Sequence, residues 1–314
     1  MKSGLLGAAA MWAALTAGAS AETFSASKIS FRDITGTVEI KTTTGSEIDI
    51  AVRQGDVYRQ IRIEEKDGAV IVSADPWKEE DGRNCCDRRI SRTVDNRKDR
   101  KVTTGEPVDE AFFKTYPIIE VLMPYEGDVD FTDARVKLAM ERISGSFNLD
   151  ACYVYGETGD VGEAAVGVIH GSRLVMGDVA GGLEVDMSGD ADLRVGNAGI
   201  VDVDMAGPGD LILGDIDGMF DVSIAGSGLV RATHLDGPMT ARIAGSGAIA
   251  VKGGRADQMR AWIDGSGSIF FRGAAVDPEL TLYGSGEVHL DSIAGKLVRH
   301  GGGDIFVGEK KLAK

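Results

Sequence analysis

The sequence predicts an all-β chain folded as a single-stranded, right-handed parallel β-helix with coils of about 19 residues and one inserted charged loop. Two observations carry that prediction. The first is a row of small-residue turns between Leu183 and Val307, opening at Gly189, Gly207, Gly226, Gly245, Gly265, Gly284 and Gly301. Their spacings are 18, 19, 19, 20, 19 and 17 residues, the nearly fixed period of a solenoid with one repeat per coil. The second is alternation around those turns. Just before them stand Val185/Met187, Val203/Met205, Val222/Ile224, Ala241/Ile243, Ala261/Ile263, Leu280/Leu282 and, as an imperfect match, Leu297/Arg299. Just after them stand Leu193/Val195, Leu211/Leu213, Val230/Ala232, Ile249/Val251, Ile269/Phe271, Val288/Leu290 and Ile305/Val307. Polar residues such as Asp186, Ser223, Arg242, Arg194 and His289 are interleaved, which is the period of a strand with one buried face and not the 3.6-residue period of a helix. Further breaks at Gly199, Gly218, Gly237 and Gly295 divide most coils again, so each coil has two or three short strands and as many corners.

At the start of the chain, Lys2 precedes an apolar run from Leu5 to Ala17, and Ala19-Ser20-Ala21 offers small residues for cleavage. Residues 1–21 read as a secretory signal peptide, too short for an ordinary membrane span, with a retained anchor as the alternative. The expected location is the periplasm of a Gram-negative-type cell, or outside it. Losing Lys2 with the leader leaves 33 basic against 49 acidic residues, a net charge of −16. That balance argues against nucleic acid or an anionic membrane surface as a general partner.

Residues 22–75 carry weaker strand runs, including Ile29/Phe31, Val38/Ile40 and Ile48/Ile50/Val52. The 19-residue step from Ile29 to Ile48 suggests the first coils, with a separate small sandwich as the alternative. Alternation then stops, and residues 76–116 read as a charged excursion from the solenoid. Between Lys78 and Lys101 nine basic and six acidic residues surround Cys85-Cys86, with too little apolar surface to offset the entropy of ordering. It is either a solvated loop or an arm that docks on an anionic partner or on the acidic body. From 117 to 308 the strand signal returns as the main β-helix, on the order of ten coils at the spacing of parallel strands. Residues 309–314 form a polar tail that caps or frays.

The recurring apolar-x-Gly-Ser-Gly unit, clearest at Ile224-Ala225-Gly226-Ser227-Gly228 and Ile243-Ala244-Gly245-Ser246-Gly247, resembles the auto-transporter adhesin head domain, also called the GIN domain. Phe24 through Pro124 is similar to the related adhesin-type domain of unknown function. The resemblance implies a β-helical fold and carries over no catalytic residue. With it comes the expected function: an exported, non-enzymatic protein whose long face binds a cell-envelope component, glycan or protein.

Chemistry is most concentrated in 178–221, where ten aspartates and Glu184 face the single basic Arg194. The coil period stacks Asp186 on Asp204 and Asp192 on Asp210, which with Asp217 are the candidate binding residues. Like charges one strand spacing apart repel, so the pairs Asp186/Asp204 and Asp192/Asp210 are candidate weak calcium ligands; otherwise they serve solubility alone. No other cofactor is expected. A polysaccharide lyase or hydrolase using these stacked aspartates is the alternative function, because such enzymes need carboxylates converging on one outer face. His170, His234, His289 and His300 fall in different registers, which speaks against zinc. Of three cysteines one must remain over within a single chain. The expected bond joins Cys152 to Cys85 or Cys86; a bond between the adjacent pair and three free thiols are the alternatives.

Overall fold

The structure, a computed structural model, describes residues 20–75 and 110–313. Nearly all of it is strand, in the coils of about 19 residues that the turn spacing predicts. Successive coils pair in parallel, in register, on three faces. The first face runs through Ser146–Thr158, Glu163–Ile169, Val179–Ser188, Ala198–Gly207 and Phe220–Gly226, and continues to Val298–Gly301. The second face climbs through Arg173–Met176, Asp192–Val195, Asp210–Ile216, Ala248–Val251, Ser268–Val276 and Glu287–Ala294 to Asp304–Val307. From residues 135–140 to residues 304–307 that ladder has ten rungs, hence about nine turns. A narrower third face links Val161, Val179, Ala198, Ile216 and Leu235, then widens through residues 254–256 and 274–276 to 292–294.

The inward side chains form one continuous column. Val203, Leu211, Val222, Val230, Ala241, Ile249, Ile263, Ile269 and Leu280 are among those wholly removed from solvent. Between the first and second faces the chain turns at the Gly-Ser-Gly corners, which stack directly. The Ser246 N–H donates to the Gly226 carbonyl at 2.9 Å, and the Ser266 N–H donates to the Gly245 carbonyl at 2.9 Å. Gly245 has φ 130°, a region open to glycine and costly to a side chain. A Cβ there would stand 2.4 Å from the carbonyl oxygen of Gly226.

The beginning of the chain departs from the sequence reading. Lys28–Arg32 and Thr35–Thr43 do form a coil, but the ladder neighbours of Ile29 are Val70 and Val129, not Ile48. Ile48–Arg53 instead runs antiparallel to Ile118–Pro124, and Ser20–Phe24 runs antiparallel to it in turn. The end layer of the solenoid is therefore split between Ala69–Ser73 and Ile118–Pro124, and the coil of residues 28–43 lies between that layer and Asp128–Met140. The antiparallel strands close this end, with Arg62–Lys66 covering Ala69–Ser73. Phe31 stacks on Phe131 across a hundred residues of chain, ring centroids 4.5 Å apart. Cleavage after Ala21 would leave Glu22, Thr23 and Phe24 of the first strand on the sheet.

Most of the expected excursion lies outside the described residues, but its end does not behave as exposed chain. A short helix, Glu110–Phe113, leads into buried Phe113 and Tyr116, and the Val57 N–H donates to the Thr115 carbonyl at 2.8 Å. At the other end the tail caps. Arg299, which occupies a core position of the last coil, donates to the carbonyls of Gly303 (2.5 Å) and Ala313 (3.1 Å). The Leu312 N–H donates to the Ile305 carbonyl, and Leu312 packs on the core. Among the described residues no helix is long and apolar enough to cross a membrane.

Candidate binding face

Alternation along the strands of the first face sends every second side chain outward, and the parallel register lines these up across coils. One outward row reads Glu184, Asp202, Asp221, Thr240, Arg260, Glu279. The row beside it reads Asp186, Asp204, Ser223, Arg242, Trp262, Thr281, His300. One end of the face is thus acidic and the other basic and aromatic. Arg242 joins them, its Nη1 donating to Asp221 Oδ1 at 2.7 Å. Asp202 sits in the middle of the acidic end. Partial loss of solvent, then the charges of Asp221 and Asp204, raise its carboxyl above the ordinary range against the lowering effect of Arg242.

The five predicted site residues do not assemble into one site. Asp186 does stack on Asp204 and Asp192 on Asp210, as the coil period requires. The corner at Gly189, however, lies between the two pairs, so the first faces one way and the second another. Asp192 also has Arg173 Nε at 3.7 Å and Arg194 Nε at 3.6 Å, which offset its charge. Asp217 stands past the next corner, its N–H donating to the Ala198 carbonyl at 3.1 Å. Among the described residues no three His, Cys, Asp or Glu side chains are grouped to hold a metal ion, so the calcium reading of Asp186/Asp204 and Asp192/Asp210 gains no ligand set.

Other acidic residues of the same span are structural. The Asp178 N–H donates to Asp160 Oδ1 (2.9 Å), the Asn197 N–H to Asp178 Oδ1 (2.7 Å) and the Asp215 N–H to Asn197 Oδ1 (2.8 Å). Each bond ties a corner to the one before it, satisfying a backbone donor that no strand ladder reaches. The preceding glycines make room: a Cβ on Gly177 would meet Asp160 Oδ1 at 2.3 Å, and one on Gly196 would meet Asp178 Oδ1 at 2.2 Å. Asp190 works in the same way, accepting from the Gly171 N–H at 2.7 Å. That bond, foremost among the causes, holds the Asp190 carboxyl below the ordinary range.

A group whose folded value is depressed stabilises the fold above its unfolded value, near pH 3.9, and loses that contribution as pH falls through the folded one. Asp190 is exposed, so solvent screening discounts this contribution, and Asp190→Ala is expected to cost no more than about 0.5–1 kcal/mol at neutral pH. The gap between the two melting curves should close as pH drops below about 4, and a pH-independent gap would show that the carboxylate charge plays no part.

On the second face His289 is sandwiched between Phe270 and Phe306, at centroid distances of 4.7 and 4.3 Å. It packs the last coils and stands apart from the other three histidines. Cys152 is buried at a corner and is disulfide-bonded; Cys85 and Cys86 lie outside the described residues.

No family model matches the chain, and no curated protein matches it. Among solved structures it is similar to a putative adhesin from Parabacteroides merdae, at 14% identity over 92% of this chain and 95% of that one, TM-score 0.28. A putative adhesin from Bacteroides fragilis shares 13% identity over 92% of this chain and 97% of that one, TM-score 0.20. A putative cell adhesion protein from Clostridium sporogenes shares 10% identity over 72% of this chain and 99% of that one, TM-score 0.20. The solenoid itself rests on the ladder described above.

Proposed function

We propose that this is an exported, adhesion-like binding protein that works from the long faces of its solenoid, in the periplasm or outside the cell, without catalysing a reaction. The observation that carries the reading is the first face: outward rows running unbroken from Glu184 to Glu279 and from Asp186 to His300, in register on a closed, packed core. Such a surface is already organised for a partner, so little ordering entropy is lost when one docks. The carboxylates stand in rows along it and are divided between faces. The apolar leader at Leu5–Ala17 and the net charge of −16 after its removal support export.

The test is fractionation of the native cell followed by binding of the purified mature chain to isolated envelope. Recovery outside the cytoplasm with an N-terminus at Glu22, and saturable binding to envelope, are the expected results. Cytoplasmic recovery, or no saturable binding, would overturn the reading. The alternative, a polysaccharide-cleaving enzyme, draws on the raised carboxyl of Asp202 beside Asp204 and Asp221. Release of reducing or unsaturated ends from acidic polysaccharides would establish it, and none is expected.

A further inference from the structure

Resting on that binding role, we propose that the basic and aromatic end of the first face binds a neutral carbohydrate chain, with Trp262 and Tyr283 as its platform. These two rings are 53% and 52% exposed, stand one coil apart and approach to 6.4 Å between centroids at an interplanar angle of 51°. Trp262 lies between Arg242 and Thr281 in its row, and Tyr283 lies beside Asp264. Arg260, Glu279 and His300 complete the surroundings, and of all these Thr281 alone is buried.

The size of the apolar surface decides against a protein partner. A Trp or Tyr offers about 150–250 Å², so two half-exposed rings leave roughly 200 Å². A stable protein interface takes about 800 Å² from each partner around an apolar core, and the charged ring of Arg242, Arg260, Asp264 and Glu279 leaves no room for such a core to extend. A sugar ring needs less: its C–H face lies against the electron-rich face of an aromatic ring, and its hydroxyls need donors and acceptors close by. Both are present. The guanidinium of Arg242 commits one hydrogen to Asp221 and has four further N–H donors, while the Asp264 carboxylate accepts. Successive rungs stand about 4.8 Å apart, so a chain lying along the solenoid axis meets Trp262 in one coil and Tyr283 in the next. Charge sets the class of sugar. At the platform Arg242 and Arg260 are paired with Asp221 and Glu279 and Asp264 adds a further carboxylate beside Tyr283, so no net positive charge is left to hold a polyanion, which leaves a neutral glycan.

Affinity electrophoresis of the full mature chain in gels containing dextran, mannan, a β-glucan or polygalacturonate, with a glycan array for breadth, tests this. Retardation by a neutral polysaccharide but not by polygalacturonate is expected. Trp262→Ala should weaken it about tenfold or more, with Tyr283→Ala weaker in effect. Tyr155→Ala, on the second face, serves as the control and should change nothing. Equal binding by a folded Trp262→Ala chain would overturn the site. If no neutral glycan binds while saturable envelope binding persists, the carbohydrate assignment falls and the binding role stands. Envelope binding that survives periodate but not protease treatment of the envelope points to a protein partner and overturns the proposal in the same way. Loss of all envelope binding removes both.

Discussion

Replacing Gly245 with valine is expected to destabilise the protein by about 2–6 kcal/mol, enough to lower its melting temperature by several degrees. Two costs combine. The backbone at φ 130° lies outside the region a β-branched residue tolerates, which costs about 1–3 kcal/mol. The new Cβ would also stand 2.4 Å from the Gly226 carbonyl oxygen, which accepts the Ser246 N–H. Relief of that clash means opening the stack of corners, at about another 1–3 kcal/mol. Gly226→Val should follow the same course more mildly, because its nearest atom, the Gly207 carbonyl oxygen, is 2.9 Å away. The control is Gly302→Ala, where nothing lies within 4 Å of the new atom; its melting temperature should be unchanged or slightly raised. A Gly245→Val melt that coincides with the parent would remove the close-approach account of these corners.

The solenoid was legible because its repeats obey a nearest-neighbour rule: each coil contacts the next, so the period carries both register and burial. The inward residues named from alternation alone, from Val185 to Ile305, are buried throughout the regular coils. The first layers were not legible, because their contacts are not between neighbours. Phe31 meets Phe131, and Ile29 lies between Val70 and Val129. No local periodicity encodes such separations, and the 19-residue step from Ile29 to Ile48 misled. Ile48 belongs to an antiparallel end strand whose alternation is the same as that of a coil strand. Arg299 was visible as an exception in the inward row. Its meaning became clear only with the tail folded over it.

At the candidate face the spacing predicted which carboxylates stack, and Asp186/Asp204 and Asp192/Asp210 do. It could not tell which pairs share a face, because that depends on the angle through which the Gly189 corner turns the chain. The row of Glu184, Asp202 and Asp221 was readable in principle: each lies two residues before Asp186, Asp204 and Ser223, with one inward residue between them. A second signal passed unused. Gly159-Asp160, Gly177-Asp178 and Gly196-Asn197 recur at steps of 18 and 19, a small residue followed by a side chain that accepts a backbone N–H of the next coil. That dipeptide marks a corner with its own hydrogen-bond ladder, and it explains part of the acidity without a ligand.

Peptide mapping without reduction is expected to find Cys152 cross-linked to Cys85 or Cys86. Cys152 is disulfide-bonded and buried, and the chain has three cysteines, so within one chain its partner is one of the adjacent pair. Such a bond closes a loop of more than sixty residues that reaches from the charged segment to a corner of the solenoid. A loop of that length withdraws about 4 kcal/mol of chain entropy from the unfolded state. Reduction, or Cys152→Ser, should therefore lower stability by roughly 2–4 kcal/mol, at the lower end if the unfolded chain keeps residual structure. The Cys85→Ser and Cys86→Ser variants separate the partners, since only one of them should reproduce the loss. The remaining thiol should react with an alkylating reagent in the unreduced protein. A Cys85–Cys86 peptide with a free Cys152, or three alkylated thiols, would refute the tether. Its consequence is specific to this chain: it would place a segment with nine basic residues beside a body that is strongly acidic, so removing the bond should also increase the sensitivity of the melting temperature to salt.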